Sequence, residues 1–268
     1  MLNLIAILLP SVVGANAEAP APALLPATSA VASAAAAPLE EASEPVTGWT
    51  GSIAIGASIS SGNTNKRTAT STANAELRGE EDRWKLAGYW NYADQKNPAT
   101  SDYELTERKL GGSAQYDYFL SPKLFAYAAL SGQYDATADL DLRRTIGVGL
   151  GYQFKEEERL KWALELGVAH VDEAFEDSAS DADYVSARGA SDLFWQFHDD
   201  WTFTQKVEVF PSLEDSDDVF GRADNRLRAT LTATMFAQLQ YVFEYDNTPA
   251  VDKDRDDHLV ALTLGWTF

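Results

Sequence analysis

The chain has no cysteine, which removes disulfides, thiolate metal sites and cysteine nucleophiles from its chemistry. Basic residues are scarce: 21 Lys and Arg stand against 41 Asp and Glu, for a formal net charge of −20. A phosphate backbone needs a basic face to meet it, so nucleic acid is excluded as a partner. Long hydrophobic runs are missing as well. The longest mainly apolar stretch ahead of the Ala-rich region, Leu2 to Gly14, is too short to span a bilayer as a helix, and no later segment offers the roughly twenty apolar residues that a spanning helix needs. Any membrane insertion must therefore use strands. The overall composition, 45% hydrophobic and 23% charged, is nevertheless that of an ordered protein.

The start of the chain reads as a secretory signal peptide over 1–17, with an apolar core from Leu4 to Val13 followed by the small-x-small run Ala15-Asn16-Ala17. Met1-Leu2-Asn3 supplies no positive charge ahead of it. Residues 18–47 are rich in Ala, Pro, Ser and Glu without a strand period, as expected of a flexible periplasmic linker. From Gly48 to Phe268 the pattern changes to alternation with period two, interrupted by clusters of Gly, Asn, Asp and Pro. In segments such as Trp84/Leu86/Gly88/Trp90/Tyr92, Ile146/Val148/Leu150/Tyr152/Phe154 and Trp162/Leu164/Leu166/Val168, one face is apolar while the other is mostly small or polar. That arrangement suits a transmembrane antiparallel up-and-down β-barrel that is apolar outside and wet inside.

The spacing predicts about twelve strands, joined alternately by short turns and longer acidic or Pro-containing loops, with both termini periplasmic. The predicted short turns include 79–82, 120–122, 155–159, 198–200 and Phe236-Ala237-Gln238; the predicted long loops are 96–102, 136–140, 173–182, 211–222 and 247–256. The first outer connection, Ser61-Gly62-Asn63, is short. Strand 10 is expected at 223–236, a bulge is expected near Gly111-Gly112, and the strand from Leu124 to Tyr134 carries apolar residues on both parities. Trp49, Trp84, Trp162, Trp195, Trp201 and Trp266 all fall beside a short turn or a terminus, which predicts an aromatic girdle at one interface.

Parity places a nearly balanced set of charges on the lumen face: Arg78, Arg83, Lys85, Lys161, Arg188, Lys206, Arg226 and Arg228 against Glu76, Asp117, Glu165, Asp192, Glu208, Asp224 and Glu244. The last strand alternates Val260, Leu262, Leu264 and Trp266 with small residues and ends on Phe268, the form of the signal that bacterial barrel-assembly machinery reads. The sequence resembles the outer-membrane proteins of the domain of unknown function 481 type, YdiY-like and sometimes called salt-induced. The resemblance rests on Gly48-Trp49-Thr50-Gly51-Ser52 with Ser61-Gly62-Asn63-Thr64, on Asp139-Leu140-Asp141-Leu142-Arg143 leading into Gly147 to Phe154, and on Tyr245-Asp246-Asn247-Thr248-Pro249. It implies a barrel in the bacterial outer membrane and carries over no activity and no site residue.

No catalytic motif, metal motif or cofactor-binding motif is present. The Gly147-x-Gly149-x-Gly151 run has no helix after it and reads as small lumen-facing residues on a curved strand. His170 and His258 share the outward parity near the outer rim, where a lipid-modifying enzyme would need a nucleophile and an orienting group beside them. Acidic loops around Asp172 to Asp183, Glu214 to Asp218 and Asp252 to Asp257 can hold divalent cations loosely, or reach lipopolysaccharide phosphates through them. The expected function is that of an integral outer-membrane protein without enzymatic activity, structural or forming a narrow pore with mild cation preference, and contributing to envelope integrity. An outer-leaflet lipid-modifying enzyme and a surface adhesin or receptor are the alternatives. The expected partners are outer-membrane lipids, lipopolysaccharide and the assembly machinery.

Overall fold

A strand can satisfy its backbone only beside other strands, and a sheet that curls onto itself leaves no edge. The computed structural model of the protein takes this solution: twelve antiparallel strands, each paired to its chain neighbours, with β1 meeting β12 to close a barrel. It describes residues 48–61, 65–178, 181–250 and 253–268. The expected leader, the linker and the middle of the first connection lie outside the described residues. The strands are β1 (Trp49–Ser60), β2 (Lys66–Arg78), β3 (Asp82–Lys96), β4 (Tyr103–Phe119), β5 (Leu124–Asp135), β6 (Leu140–Glu156), β7 (Leu160–Phe175), β8 (Ala182–His198), β9 (Trp201–Pro211), β10 (Val219–Thr230), β11 (Met235–Asp246) and β12 (Asp256–Thr267).

Burial is inverted relative to a water-soluble barrel. Ile146, Val148, Leu150, Tyr152 and Phe154 of β6 are exposed, as are Val260, Leu262, Leu264 and Trp266 of β12, and Leu166 and Leu262 reach 74%. Between them, Thr145, Gln153 and Thr263 are buried. An apolar exterior over a polar interior is what a barrel in hydrocarbon needs. At the short-turn end the exterior is aromatic, with Trp84 against Tyr116, Phe154 against Trp162, and Trp195 against Phe197. β1 and β12 are clasped at the same end, where Gly51 N–H donates to Phe268 O (3.0 Å) and Phe268 N–H donates to Gly51 O (3.1 Å).

Four local expectations are corrected. β10 begins at Val219 and stops at Thr230, so the turn occupies 231–234 and Phe236 and Gln238 are buried strand residues. The run Thr230-Leu231-Thr232-Ala233-Thr234 lacks Gly, Pro, Asn and Asp, but the Thr232 hydroxyl accepts from Met235 N–H (3.0 Å) and does the turn residue's work. The loop expected at 173–182 is shortened to 176–181, because β7 continues to Phe175 and takes Glu173 inside; the loop expected at 211–222 is shortened to 212–218. The alternation of β4 runs unbroken through Gly111-Gly112; its register shift lies at Ala93/Asp94, opposite Leu105 and Glu107. Gly111 hides its parity because it has no side chain, and Tyr89 of β3 lies over it.

On β5, Phe125 and Tyr127 point inward while Leu130 is exposed. Their room comes from glycine: a Cβ on Gly151 would strike the Phe125 ring, and one on Gly149 or Gly167 would strike the Tyr127 hydroxyl. Gly151→Val should therefore displace Phe125 and cost about 1–3 kcal/mol by overpacking. Leu166→Arg should cost about 2–4 kcal/mol when the barrel sits in a bilayer, because the charge enters hydrocarbon. Urea unfolding of the refolded barrel in lipid vesicles measures both, and unchanged stability of Leu166→Arg would put that face in water.

Candidate functional site in the lumen

Alternation delivers every second residue of each strand to the interior, and there the side chains form three levels. Nearest the short turns, Phe119 and Phe125 pack at 5.3 Å between ring centres, with Arg78 over Phe119 (3.6 Å) and Arg83 over both rings. Arg78 also reaches Glu156 (3.6 Å), and Arg228 donates to Gln238 (2.7 Å) and to Ser52 on β1 (2.9 Å).

The middle level is a belt of charge. Lys85 Nζ on β3 reaches Asp192 on β8 (2.9 Å), Glu165 on β7 (3.4 Å) and Asp117 on β4 (3.8 Å). Those strands are not neighbours of β3 except β4, so these bonds cross the interior. Arg83 pairs with Asp117 (2.7 Å), and the Gln115 amide donates to both Asp117 (2.7 Å) and Glu165 (2.8 Å). Arg188 is held between Glu165 (2.8 Å) and Glu208 (2.6 Å), lies over the Tyr127 ring, and leaves Glu208 a second partner in Lys206 (3.1 Å). Asp224 receives Arg226 (2.7 Å) and the Gln240 amide (3.0 Å). Glu76 is half-buried on β2 in register with Lys85, while Lys161 is exposed at the start of β7 and outside these pairs.

Toward the long loops, Phe210 and Phe220 stack at 4.6 Å beside Tyr184 and Val171. Arg143 covers Phe220 and bonds Glu173 and Asp246. Arg222 lies over Tyr89 and bonds Glu244. Lys109 is enclosed by Asp257 (2.7 Å), Asp135 (2.8 Å) and Glu244 (3.0 Å). Among the described residues those three carboxylates form a group whose spacing would suit a metal ion, and the Lys109 ammonium bonds all three. In the 212–218 connection, burial pushes the Asp218 carboxyl above its ordinary range although the Thr248 hydroxyl donates to it (2.9 Å).

Among the described residues, cavities open at this end. One of about 200 Å³ is lined by Tyr89, Gln133, Arg143, Arg222 and Asp254, among others; the second, of about 190 Å³, touches Asn91, Glu107, Lys109, Asp257 and His258.

Sequence reasoning missed Lys109, Asp135, Arg143, Glu173, Arg222, Asp246 and Asp257. Arg222 and Glu173 fall inside the loops expected at 211–222 and 173–182, and Gly111-Gly112 hides the parity of Lys109. The histidines are separate: His170 Nε2 faces Asp183 (3.5 Å) on β8, and His258 on β12 has the Tyr241 hydroxyl at Nδ1 (2.9 Å) and Asp256 at Nε2 (3.0 Å). Among the described residues no Ser or Thr hydroxyl bonds either ring.

A family model described as "Protein of unknown function, DUF481" matches residues 53–268. No curated protein matches the chain. Solved structures similar to it include the NanC porin (9% identity, 82% of this chain and 98% of that one, TM-score 0.46). The translocator domain of the autotransporter NalP from Neisseria meningitidis is similar at 10% identity, over 82% of this chain and 88% of that one, with a TM-score of 0.45. The KdgM porin in complex with disordered oligogalacturonate matches at 8% identity, over 82% and 99%, with a TM-score of 0.42.

Removing Arg188 takes the nearest cation from Glu165 (2.8 Å) and Glu208 (2.6 Å) and leaves them Lys85 (3.4 Å) and Lys206 (3.1 Å), so Arg188→Ala should cost about 2–3 kcal/mol in barrel stability, below the cost of a fully unpaired buried charge. Adding Glu165→Gln and Glu208→Gln to Arg188→Met should recover much of that loss, because the stranded charges go with it. Equal instability of the single and triple variants in urea would show that packing, and not charge pairing, holds the belt.

Proposed function

The chain belongs to the DUF481 family, and from the form of its barrel we propose that it is an integral protein of the bacterial outer membrane, structural or forming a narrow pore. The observation that carries this reading is an apolar exterior combined with ion pairs that cross the interior from Lys85 to Asp192 and Glu165. A soluble barrel would place these residue types the other way round. In this reading residues 1–17 direct export, 18–47 form a periplasmic linker, both termini and the short turns lie in the periplasm, and the long loops meet the outside. Val260, Leu262, Leu264, Trp266 and Phe268 present the strand that the assembly machinery engages. Lipids and lipopolysaccharide surround the wall, and acidic loops take up divalent cations. We assign no cofactor and no enzymatic activity.

The charge belt limits the pore. Opposite charges bonded across the lumen constrict it without imposing one sign, while the acidic rim raises the local concentration of cations over about 8 Å at physiological salt. A barrel of this kind stiffens the envelope and passes small solutes slowly.

In planar bilayers the purified protein should give a small conductance with a mild cation preference that fades as salt rises. Lys85→Ala should raise both conductance and cation preference, since it opens the crossing and leaves Asp192, Glu165 and Asp117 facing the path. Large, anion-selective, salt-insensitive channels from the unaltered protein would overturn this account.

A further inference from the structure

The barrel is closed unevenly. Every other neighbouring pair of strands is laddered over much of its length, as β1 is to β2 from Trp49↔Leu77 to Ser60↔Lys66. β1 and β12, by contrast, pair only from Ser52↔Thr267 to Ile55↔Leu264. Continuing that register would bring Ser58 opposite Ala261 and Ile59 opposite Val260, but no pairing is present there among the described residues. Ile59 is 81% exposed and Val260 68%, so neither covers the other.

The inner side of this seam is lined by small polar groups. Ser58 shares the inward parity of the buried Ser52 and Ala54, yet it is exposed, and its hydroxyl meets Thr68 (2.7 Å). Thr70 bonds Asn91 (2.6 Å), and Asn91 lines the cavity of about 190 Å³ that also touches Glu107, Lys109 and Asp257. Lys109 already holds Glu244 and Asp257, whereas half-buried Glu107 has no ion pair among the described residues.

Unpaired strand edges do not survive against lipid; at membrane depth, irregular backbone persists where it lines a water-filled cavity. The outer half of the seam borders such a cavity on the β12 side, through Asp257, His258 and Leu259, and has an apolar exterior of Ile59, Val260 and Leu262 in front. We propose that this half of the β1–β12 seam is a lateral doorway that admits the chain of an outer-leaflet amphiphile, with its polar head received in the cavity at Glu107 and Lys109. The belt below constricts the barrel axis to a path too narrow for an amphiphile, so exchange of one at this end runs sideways between lipid and lumen. The proposal rests on the outer-membrane reading above.

Because the chain lacks cysteine, single thiols report cleanly. A fluorophore is attached in turn to Ile55→Cys on the outer face, Ser58→Cys at the doorway and Ser113→Cys on the inner wall, and each barrel is refolded in phosphatidylcholine vesicles brominated along the acyl chain. Quenching at position 58 should be comparable with that at 55, while 113 stays bright. In parallel, Ile55→Cys/Leu264→Cys should oxidise to a disulfide and Ile59→Cys/Val260→Cys should stay reduced. Protection at 58 with quenching at 55, or ready oxidation of the 59/260 pair, would mean a closed wall and overturn the doorway alone. Dimers cross-linked through Ile59→Cys would overturn it in favour of a second copy covering the edge. Absence of quenching at 55 would instead overturn the membrane reading itself.

Discussion

The structure depends on one constraint: a backbone behind an apolar exterior takes its hydrogen-bond partners from neighbouring strands. Twelve strands meet it by pairing in a ring, and the ring divides the side chains into two populations that never mix. Once the outside is apolar, the charges must go inward, and once inward they must meet each other. Lys85, Arg188, Lys109 and Arg143 each reach two or three carboxylates, which is the only arrangement in which so many buried ions are tolerable. The lumen chemistry is thus a product of the wall.

The two aromatic levels give the belt its setting. Phe119 and Phe125 on one side, and Phe210 and Phe220 on the other, bracket the ions with apolar surface, which lowers the local polarity and strengthens each pair relative to one at the surface. Arginines join the levels, since a guanidinium can stack on a ring and bond a carboxylate at once, as Arg83 and Arg143 do.

Much of this was legible in the sequence because period two is a strong code when strands are long. β3, β6, β7 and β12 could be faced from their alternation alone, and the tryptophans located the short-turn end. The code failed where a residue type broke its meaning. Gly111 carried no side chain to assign, Phe125 and Tyr127 were aromatics turned inward over glycines that lie far away in sequence, and Thr232 made a turn without a turn residue. Glu173 and Arg222 looked like loop residues because charge near a strand end reads as solvent exposure, when each had a partner waiting on another strand. The unevenness of the β1–β12 seam had no signal at all, since register between distant strands is not written in either one.

The clasp between Gly51 and Phe268 has a consequence for how the protein is made. The eleven pairings between successive strands are local and can form in chain order, but the closing one joins segments separated by nearly the whole folded length, and contacts of such separation are the slow step in a search. Until the final strand arrives, β1 waits with an open edge. The order of synthesis therefore makes the first strand the longest-lived hazard for mispairing, and its run of Gly, Ala and Ser beside only a few large residues gives a stray partner little to hold.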